Sequence, residues 1–300
     1  MQDFTDFSVS SVGIAGAGRV AQALGRLLHT SGEPVAFVAS RSLEHGRTAA
    51  AFIGPGVEAV SYSEIAQRAR RILIAVPDSA LEAVAAMLAM ESGIVLHTCG
   101  AQGPDALRAL AGRGVSCGAI HPLQTISDPE SGVAALNGAA FAISGDAPAL
   151  AWAERIARAA NGRILRIPAG RRPLYHAAAV LAGNSITALL SAAQSLLIAA
   201  EVDPEEALQA LGPLARTSLE NTLRQGPTAA LTGPIERGDV STIAAHLAAL
   251  ENIPGPIPLL YRAAGLQTLE LARKKGLCAE RAVATERVLE ASLNCHAPVI

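Results

Sequence analysis

The stretch SSVGIAGAGRVAQALGRLL, residues 10–28, constrains the fold more than any other part of the chain. A short apolar run ends at two glycines, Gly16 and Gly18, and a segment with helical periodicity follows at once. The residues from Gly16 to Ala21 fit the pattern G-x-G-x-x-G/A, which is typical of dinucleotide-binding sheets when it stands between a strand and a helix. In that pattern the first glycine permits the tight turn, the second lets a pyrophosphate approach the backbone, and Ala21 allows close packing of helix and strand.

This glycine loop predicts that the chain binds a dinucleotide. The N-terminus of the helix that follows presents free N–H groups and the positive end of its dipole to the phosphates of such a ligand. An ordinary strand-to-helix turn is the alternative interpretation. The cofactor-binding candidates in the loop are Gly16, Ala17, Gly18, Arg19 and Val20.

Apolar runs alternate with helical segments as far as residue 168, which predicts a parallel sheet covered on both faces. The last two runs are expected to join the same sheet, with a helix between them. The predicted strands after the first lie in VAFVAS (35–40), RRILIAVPD (70–78), GIVLHTC (93–99), GVSCGAIHP (114–122), GAAFAISGD (138–146) and GRILRIP (162–168).

From Pro173 onward only helical patterns occur, so we expect a second domain. The stretch AGRRP at residues 169–173 marks the change. The fold class is therefore predicted to be α/β, with a Rossmann-type doubly wound parallel sheet in residues 1–170 followed by an all-helical C-terminal domain in residues 171–300. The predicted helices of the second domain are Leu174–Ala200, Pro204–Leu223, Val240–Glu251, Leu259–Lys275 and Ala279–Leu293.

Composition and charge bear on partners and location. The formal net charge is -2 and no basic stripe occurs, so we expect no nucleic-acid partner. The stretch between Arg172 and Glu201 has no charged residue and is long enough to span a membrane, but the polar side chains within it favour a buried helix or one at a dimer interface. The four cysteines are scattered, and no second ligand pair accompanies Cys117 and His121. We expect reduced thiols, no metal site and a cytoplasmic location.

The residues after the second strand bear on the choice between NAD and NADP. NAD sites usually place Asp or Glu about 20 residues past the glycine loop to hold the ribose hydroxyls. This chain has Ser40, Arg41 and Ser42 there instead. An arginine flanked by hydroxyls suits a 2′-phosphate, so the sequence favours NADP, with a solvated loop arginine as the alternative. Ligands on such sheets bind at the carboxyl ends of the strands, where the further candidates are Val76, Pro77, Cys99 and Gly100.

Six motifs give the chain a family resemblance. They are GAGRVAQALG, AVPDSAL, HTCGA, HPLQT, YHAAAVLAGN and LTGPIERGD, in this order. The chain resembles the bacterial Rossmann-like proteins with a C-terminal domain of unknown function 2520. That group is related to the pyrroline-5-carboxylate reductases, the ketopantoate reductases and the β-hydroxyacid dehydrogenases. The resemblance implies nicotinamide hydride chemistry and commonly a dimer built through the helical domain, and it implies no particular substrate.

One departure from these relatives affects the mechanism. β-Hydroxyacid dehydrogenases and ketopantoate reductases have a catalytic lysine four residues before an asparagine on the first helix between the domains. Asn184 matches that asparagine, and the lysine position is occupied by Val180. Valine neither transfers a proton nor polarises a carbonyl, so the lysine mechanism does not carry over to this chain.

Four residues remain as candidates for catalysis and substrate positioning. His176 and Asn184 lie about two turns apart on one helical face, where His176 would act as acid and Asn184 would position the substrate. His121 follows a strand and precedes a proline, which suits a cleft residue, and it is the other candidate for the acid. Arg237 is suited to capture of a carboxylate. The alternatives are an interior His176, an Asn184 amide bonded to backbone, a loop His121 that caps a carbonyl, and an Arg237 in a surface ion pair.

Together these features predict an NADP(H)-dependent oxidoreductase. It would transfer hydride between the nicotinamide and a C=O or C=N group of a small, carboxylated substrate, with the cofactor supplying the hydride. A non-catalytic NADP(H)-binding sensor or scaffold is the alternative, because the family lysine is missing. A carrier of a small ligand that binds the nucleotide only structurally is a third possibility.

Overall fold

The computed structural model of the protein describes residues 10–168 and 170–291. The chain divides into two compact units, Met1–Ile186 and Thr187–Ile300. The domain boundary predicted between residues 170 and 171 falls before this division.

An eight-stranded sheet forms the centre of the first unit, counted over the described residues. Its order is β3-β2-β1-β4-β5-β6-β7-β8, and every neighbouring pair is parallel except β6 and β7. The predicted α/β fold with a mostly parallel, Rossmann-type sheet is thus confirmed. The strands are β1 (Val12–Ala15), β2 (Val35–Ala39), β3 (Glu58–Val60), β4 (Arg71–Ile74), β5 (Ile94–His97), β6 (Ser116–Leu123), β7 (Ala140–Gly145) and β8 (Arg163–Arg166).

Helices cover both faces of the sheet, because successive side chains of each buried strand point to opposite sides. Leu73 of β4 belongs to the core on one face with α1, α2, α6 and α7 as defined below. Ile72 and Ile74 belong to the core on the other face with α3, α4 and α5. The helices are α1 (Arg19–Thr30), α2 (Leu43–Ile53), α3 (Tyr62–Arg68), α4 (Leu81–Met87), α5 (Arg108–Ala111), α6 (Pro129–Leu136), α7 (Ala147–Ala159) and α8 (Arg172–Ala182).

The direction of β7 differs from the prediction of a fully parallel sheet. β7 begins beside the end of β6, where Leu123 pairs with Ala140, and runs antiparallel to it. The connection between the two strands contains one helix of eight residues, α6.

The helix predicted at Leu174–Ala200 is two helices in the structure. The first is α8, and the second is α9 (Asn184–Ala199). The interruption falls at Gly183, whose φ of -117° and ψ of -78° lie outside the helical values. Glycine is a poor residue for a helix interior, which is the physical reason for a break at this position.

All the regular elements among the described residues of the second unit are helices, as predicted. Its compact part is small and is formed by residues such as Ile243, Leu247 and Leu269. The predicted helix end at Leu293, like Cys295, lies outside the described residues. After α9 the helices are α10 (Pro204–Gln225), α11 (Pro227–Ala230), α12 (Pro234–Arg237), α13 (Val240–Leu250), α14 (Ile257–Lys275) and α15 (Ala279–Glu290).

Two long helices of the second unit leave their side chains largely exposed. Within the described chain α9 buries no residue, and α10 buries Ala207 alone. The 28-residue stretch Arg172–Ala199 is long and apolar enough to cross a membrane by length and composition only, which is weak evidence for a span. None of its most apolar window is buried inside the described chain, so the interpretation as an internally buried helix is not met.

A buried ion cluster lies at the amino-terminal edge of the sheet. Arg71, the first residue of β4, donates from Nη1 to Oε2 of Glu33 at 2.7 Å, and both side chains are 2% exposed. Arg155 of α7 also pairs with Glu33. Arg71 further donates from Nη2 to the carbonyl of Ser10 at 2.7 Å. This cluster joins β4, α7 and the residues before β2 at the edge opposite to the carboxyl ends of β1, β2, β4 and β5.

Candidate active site

The glycine loop has the geometry that its sequence predicts. Gly16 has a φ of +135°, and a Cβ built on it would lie 2.1 Å from the carbonyl oxygen of Ala75. Gly18 caps α1 without a side-chain hydrogen bond. A Cβ built on Gly18 meets no atom within 4 Å among the described residues, so there is free space directly above the first turn of α1.

A cavity of about 370 Å³ opens at the carboxyl ends of β1, β4, β5 and β6. It joins the glycine loop to the residues that follow the other central strands, and His121 and His176 close one side of it. The open space above Gly18 and the uncapped N-terminus of α1 fit the pyrophosphate of a dinucleotide. The residues that line the cavity are Gly18, Arg19, Val20, Ala75, Val76, Pro77, Asp78, Thr98, Gly100, His121, Pro122, Gln124, Ile126 and His176.

The residues predicted to read the 2′-phosphate lie after β2. Ser42 caps α2 by accepting a hydrogen bond from the backbone N–H of His45 at 3.4 Å, and Ser40 Oγ donates to the carbonyl of Ser42. Arg41 is exposed. Burial raises the pKa of Tyr62, and the nearby charge of Arg41 partly opposes that rise. Both serine hydroxyls thus stabilise the turn, while the guanidinium remains on its surface.

A smaller cavity of about 210 Å³ lies on the other side of the two histidines. It is lined by residues that follow β6 and by one face of α8 as far as Asn184. His121, Gln124 and His176 line both cavities. The two imidazole rings therefore stand where a ligand in the larger cavity and a ligand in the smaller one would meet.

Gly100 allows the two rings to approach each other. A Cβ at this position would lie 2.5 Å from Cδ2 of His176 and 2.9 Å from Nε2 of His121, which are impossible contacts. The ring centroids are 5.8 Å apart in an edge-to-face arrangement with an interplanar angle of 85°. The glycine after β5 thus leaves room for both histidines at the strand end.

His121 forms a hydrogen bond with Tyr175, the first residue of the pair Tyr175-His176. Its Nδ1 lies 2.7 Å from the hydroxyl of Tyr175. Burial, and next the charges of His176 and Arg172, lower the pKa of His121 to about 4. Burial raises the pKa of Tyr175 to about 12. Both groups are therefore neutral near pH 7.

Arg172 anchors the start of α8 to the sheet. Its side chain is 3% exposed and donates to Ser144 Oγ at 3.1 Å, to the carbonyl of Cys99 at 3.2 Å and to the carbonyl of Ala142 at 3.2 Å. Tyr175 and His176 follow one turn later. The guanidinium thus fixes the helix so that these side chains lie over the strand ends.

His97 and Cys99 lie beneath the site, and neither lines the two cavities. Nδ1 of His97 accepts from the backbone N–H of Cys99 at 3.2 Å, and its Nε2 lies 2.9 Å from the carbonyl of Gly103. The ring is therefore an Nε2–H imidazole held within the backbone of a loop. Burial lowers the pKa of His97 to about 4 and raises the pKa of the Cys99 thiol to about 11. Cys99, a candidate for cofactor binding, thus contacts Arg172 through its backbone carbonyl, and its thiol lines neither cavity.

Comparisons with known proteins agree with this architecture. Residues 5–122 match the family described as a Rossmann-like domain, and residues 139–268 match the Domain of unknown function (DUF2520). The chain thus contains a Rossmann-like domain followed by a DUF2520 domain. The expected resemblance is thus confirmed. No curated protein matches the sequence.

Several solved structures share the fold of this chain. Protein TM1727 from Thermotoga maritima has a TM-score of 0.71 and 22% identity, covering 88% of this chain and 99% of that one. A pyrroline-5-carboxylate reductase from Streptococcus pyogenes has a TM-score of 0.58 and 16% identity, covering 95% and 98%. A pyrroline carboxylate reductase from Plasmodium falciparum with NADP bound has a TM-score of 0.52 and 16% identity, covering 97% and 100%. Reductases are therefore among the structures that share this fold.

The position of the missing lysine is part of the smaller cavity. Val180 is 38% exposed, and it lines this cavity together with His176 and Asn184. The three residues therefore surround one space, as their spacing predicted, although Gly183 interrupts the helix before Asn184. Asn184 is the first residue of α9, and its side chain is exposed.

Arg237 lies in the second unit. It ends α12 and lines a cavity of about 420 Å³ with Lys275 and Arg281, among other residues. Arg281 donates to the carbonyl of Arg237 at 3.1 Å, and Lys275 pairs with Glu236 at 3.3 Å. The side chain of Asp239 accepts from the N–H of Thr242 at 3.2 Å and caps α13.

Tyr175, Arg172 and Gln124 were not among the predicted site residues. Tyr175 adjoins a predicted histidine at a helix start, and Arg172 stands one turn earlier. Their positions beside His176 are the signal that could have identified them. Gln124 belongs to the motif HPLQT, where only His121 was considered.

Proposed function

We propose that this protein is an NADP(H)-dependent oxidoreductase that reduces a C=O or C=N group of a small carboxylated substrate. The observation that carries the proposal is that His121 and His176 line both cavities. One of these cavities contains the glycine loop, and the other reaches Asn184. A dinucleotide in the first and a small substrate in the second would meet at the two imidazoles.

Residues in different parts of the site would have different roles. Gly16, Gly18 and the N-terminus of α1 would hold the pyrophosphate, while Val76, Pro77 and Gly100 form the wall along the rest of the cofactor. Asn184 and Gln124 are the amides that would orient the substrate. A bound nicotinamide would supply the hydride. The histidines would supply or accept the proton.

The alternative function is that of a non-catalytic NADP(H) sensor. The observation that favours it is Val180 at the position where the relatives have a lysine. The same cofactor cavity serves both functions, so the discriminating property is turnover. Capture of the substrate carboxylate by Arg237 stays a prediction, since this residue belongs to a separate cavity of the second unit. The proposal keeps the cytoplasmic location expected from the sequence.

A binding and turnover experiment tests the proposed function. NADPH fluorescence is titrated with the purified full-length protein, and NADPH consumption is then followed with 2-oxo acids, 3-oxo acids, aldehydes and cyclic imines. We expect NADPH binding and consumption with at least one class of compound. Binding without consumption across the panel would favour the sensor, and absence of NADPH binding would contradict both functions.

The choice of NADP is tested at Arg41. Arg41→Asp replaces a phosphate partner with a repelling charge, and we expect NADPH affinity to fall about 10- to 100-fold, the loss of one or two charge-assisted hydrogen bonds. NADH affinity should change little, and both are measured by fluorescence titration. Arg47→Asp, on the exposed side of α2, makes the same change in net charge and serves as the control. Equal losses for NADPH and NADH would show that Arg41 does not bind the 2′-phosphate.

The exposed helices of the second unit support a homodimer. Leu208, Leu219 and Leu223 of α10 are 48%, 47% and 78% exposed and lie within about 60° on one helical face. An apolar stripe on a largely exposed helix is typical of a surface that a second protein covers. A second copy of this chain is the occupant that we propose.

The proposed dimer is tested by measuring the molecular mass of the protein in solution. Light scattering during gel filtration is expected to give twice the 30.6 kDa of the chain. Leu219→Asp should shift the protein to monomers, because it places a charge in the covered stripe. Leu43→Asp, at a leucine 49% exposed on α2, should not. A monomeric wild-type protein at micromolar concentration would overturn the proposal.

A further inference from the structure

The hydrogen bond between His121 and Tyr175 places a phenol directly behind an imidazole of the site. The Tyr175 hydroxyl lies 2.7 Å from Nδ1, and the rings meet edge to face with centroids 5.6 Å apart. The opposite nitrogen, Nε2, lies next to Gly100, which lines the larger cavity. The imidazole therefore connects the phenol to the cavity through its two nitrogens.

The charges around His121 disfavour an imidazolium. His176, Arg172 and His97 oppose a positive charge on this ring, and Asp78 alone among the groups acting on it favours one. With a pKa of about 4, roughly one molecule in a thousand carries the imidazolium at pH 7. Donation of a proton from a charged His121 is therefore a rare event. A neutral ring can give up its single N–H proton only if a proton reaches its other nitrogen at the same time.

We infer that Tyr175 and His121 form a proton relay: Tyr175 donates to Nδ1 of His121, and Nε2–H of His121 donates to the oxygen of a substrate carbonyl. The inference rests on the proposed function. As the carbonyl carbon accepts the hydride and its C=O π bond breaks, the oxygen takes the Nε2 proton and His121 takes the Tyr175 proton at Nδ1. His121 stays neutral, and Tyr175 becomes a phenolate that recovers a proton from water. The nearby charge of Arg172 stabilises that phenolate.

The relay also selects a class of substrate. An alkoxide is far more basic than a phenolate, so transfer of the proton to a reduced carbonyl oxygen is downhill. An imine nitrogen must be protonated before it accepts hydride, and it is far less basic than a phenolate. A tyrosine with a pKa of about 12 is therefore a poor source of that proton. The relay assigns the site to ketones or aldehydes, in particular carboxylated ones, rather than to imines.

A kinetic experiment tests the relay with a matched control. Tyr175→Phe keeps the ring and removes the hydroxyl, and we expect kcat for a carbonyl substrate to fall about 10²- to 10⁴-fold with little change in NADPH affinity. The variation of kcat with the D₂O fraction should be curved in the wild type, because two protons move, and linear in Tyr175→Phe. Tyr261→Phe removes the hydroxyl from a similar pair with His246 at 2.8 Å in the second unit, and it should change neither quantity.

A spectroscopic experiment needs neither cofactor nor turnover. In full-length protein with ¹⁵N-labelled histidine, His121 should be an Nε2–H tautomer from pH 6 to pH 9, because its Nδ1 accepts from Tyr175. Tyr175→Phe should leave a mixture of tautomers. An Nδ1–H tautomer in the wild type would overturn the relay, since His121 would then donate to Tyr175.

The outcomes separate the relay from the proposed function. No NADPH consumption with any compound by the wild type overturns the proposed function, and the relay as a catalytic device falls with it, whatever the tautomer. Turnover with a carbonyl compound that Tyr175→Phe leaves unchanged overturns the relay alone. Turnover restricted to cyclic imines overturns the assigned substrate class. Turnover with a carbonyl compound that is lost with Tyr175→Phe, together with the Nε2–H tautomer, supports it.

Discussion

Gly18→Val is expected to weaken NADPH binding about 10²- to 10⁴-fold. The valine side chain would occupy the free space above the first turn of α1, where the pyrophosphate would accept hydrogen bonds from backbone N–H groups. Loss of two such charge-assisted bonds at about 1.5–3 kcal/mol each corresponds to that range. The measurement is a fluorescence titration with NADPH, and Gly18→Ala should give an intermediate loss.

The fold should tolerate both substitutions at Gly18. A Cβ at this position meets nothing within 4 Å in the described part of the protein, and the backbone φ of -76° suits any residue. Melting temperatures should therefore match the wild type. A folded Gly18→Val protein with undiminished NADPH affinity would show that the dinucleotide does not bind at this loop.

Glu33→Gln is expected to cost about 3–5 kcal/mol of the free energy of unfolding. The substitution leaves the positive charge of Arg71 buried without its carboxylate, which is the costly way to break a buried pair. In a protein of this size such a loss lowers the melting temperature by roughly 10 °C. Calorimetry or urea unfolding, followed by circular dichroism, measures it.

Glu58→Gln is the matched control for Glu33→Gln. Glu58 also pairs with an arginine, Arg68, at 2.6 Å, but their side chains are 56% and 43% exposed. Water screens such a pair, so its loss should change the stability little. Equal stability of Glu33→Gln and the wild type would mean that the Glu33 carboxylate makes no net contribution to the fold.

The parts of the fold that the sequence predicts are those that local residues determine. The turn at Gly16 follows from a close approach to Ala75 that excludes any side chain, and the buried strands follow from continuous apolar runs. The reversal of β7 was not predicted, because an apolar run is compatible with both a parallel and an antiparallel neighbour. The break at Gly183 was not predicted either, since a single glycine in an apolar helix is often tolerated.

The sequence predicts those parts of the candidate site that a single residue indicates by its local position. His121 at a strand end and His176 at a helix start are both in the walls of the two cavities. The bond to Tyr175 and the anchoring by Arg172 join residues that are 54 and 73 positions apart. No local pattern encodes such pairs, because they form only when α8 packs against the ends of β5 and β7. A role for Arg237 likewise depends on tertiary contacts, which no local pattern encodes.

The walls of the smaller cavity have a consequence for selectivity within a homologous series. Leu123, Ala179, Val180 and Ala182 form an apolar part of its lining, whereas the histidines and Asn184 form a polar part. A substrate chain that extends along the apolar part would gain about 0.8 kcal/mol for each methylene that it buries, or about fourfold in affinity. That gain would stop when the volume of about 210 Å³ is full. Val180, which stands at the position of the relatives' lysine, would then limit the length of the substrate instead of transferring a proton.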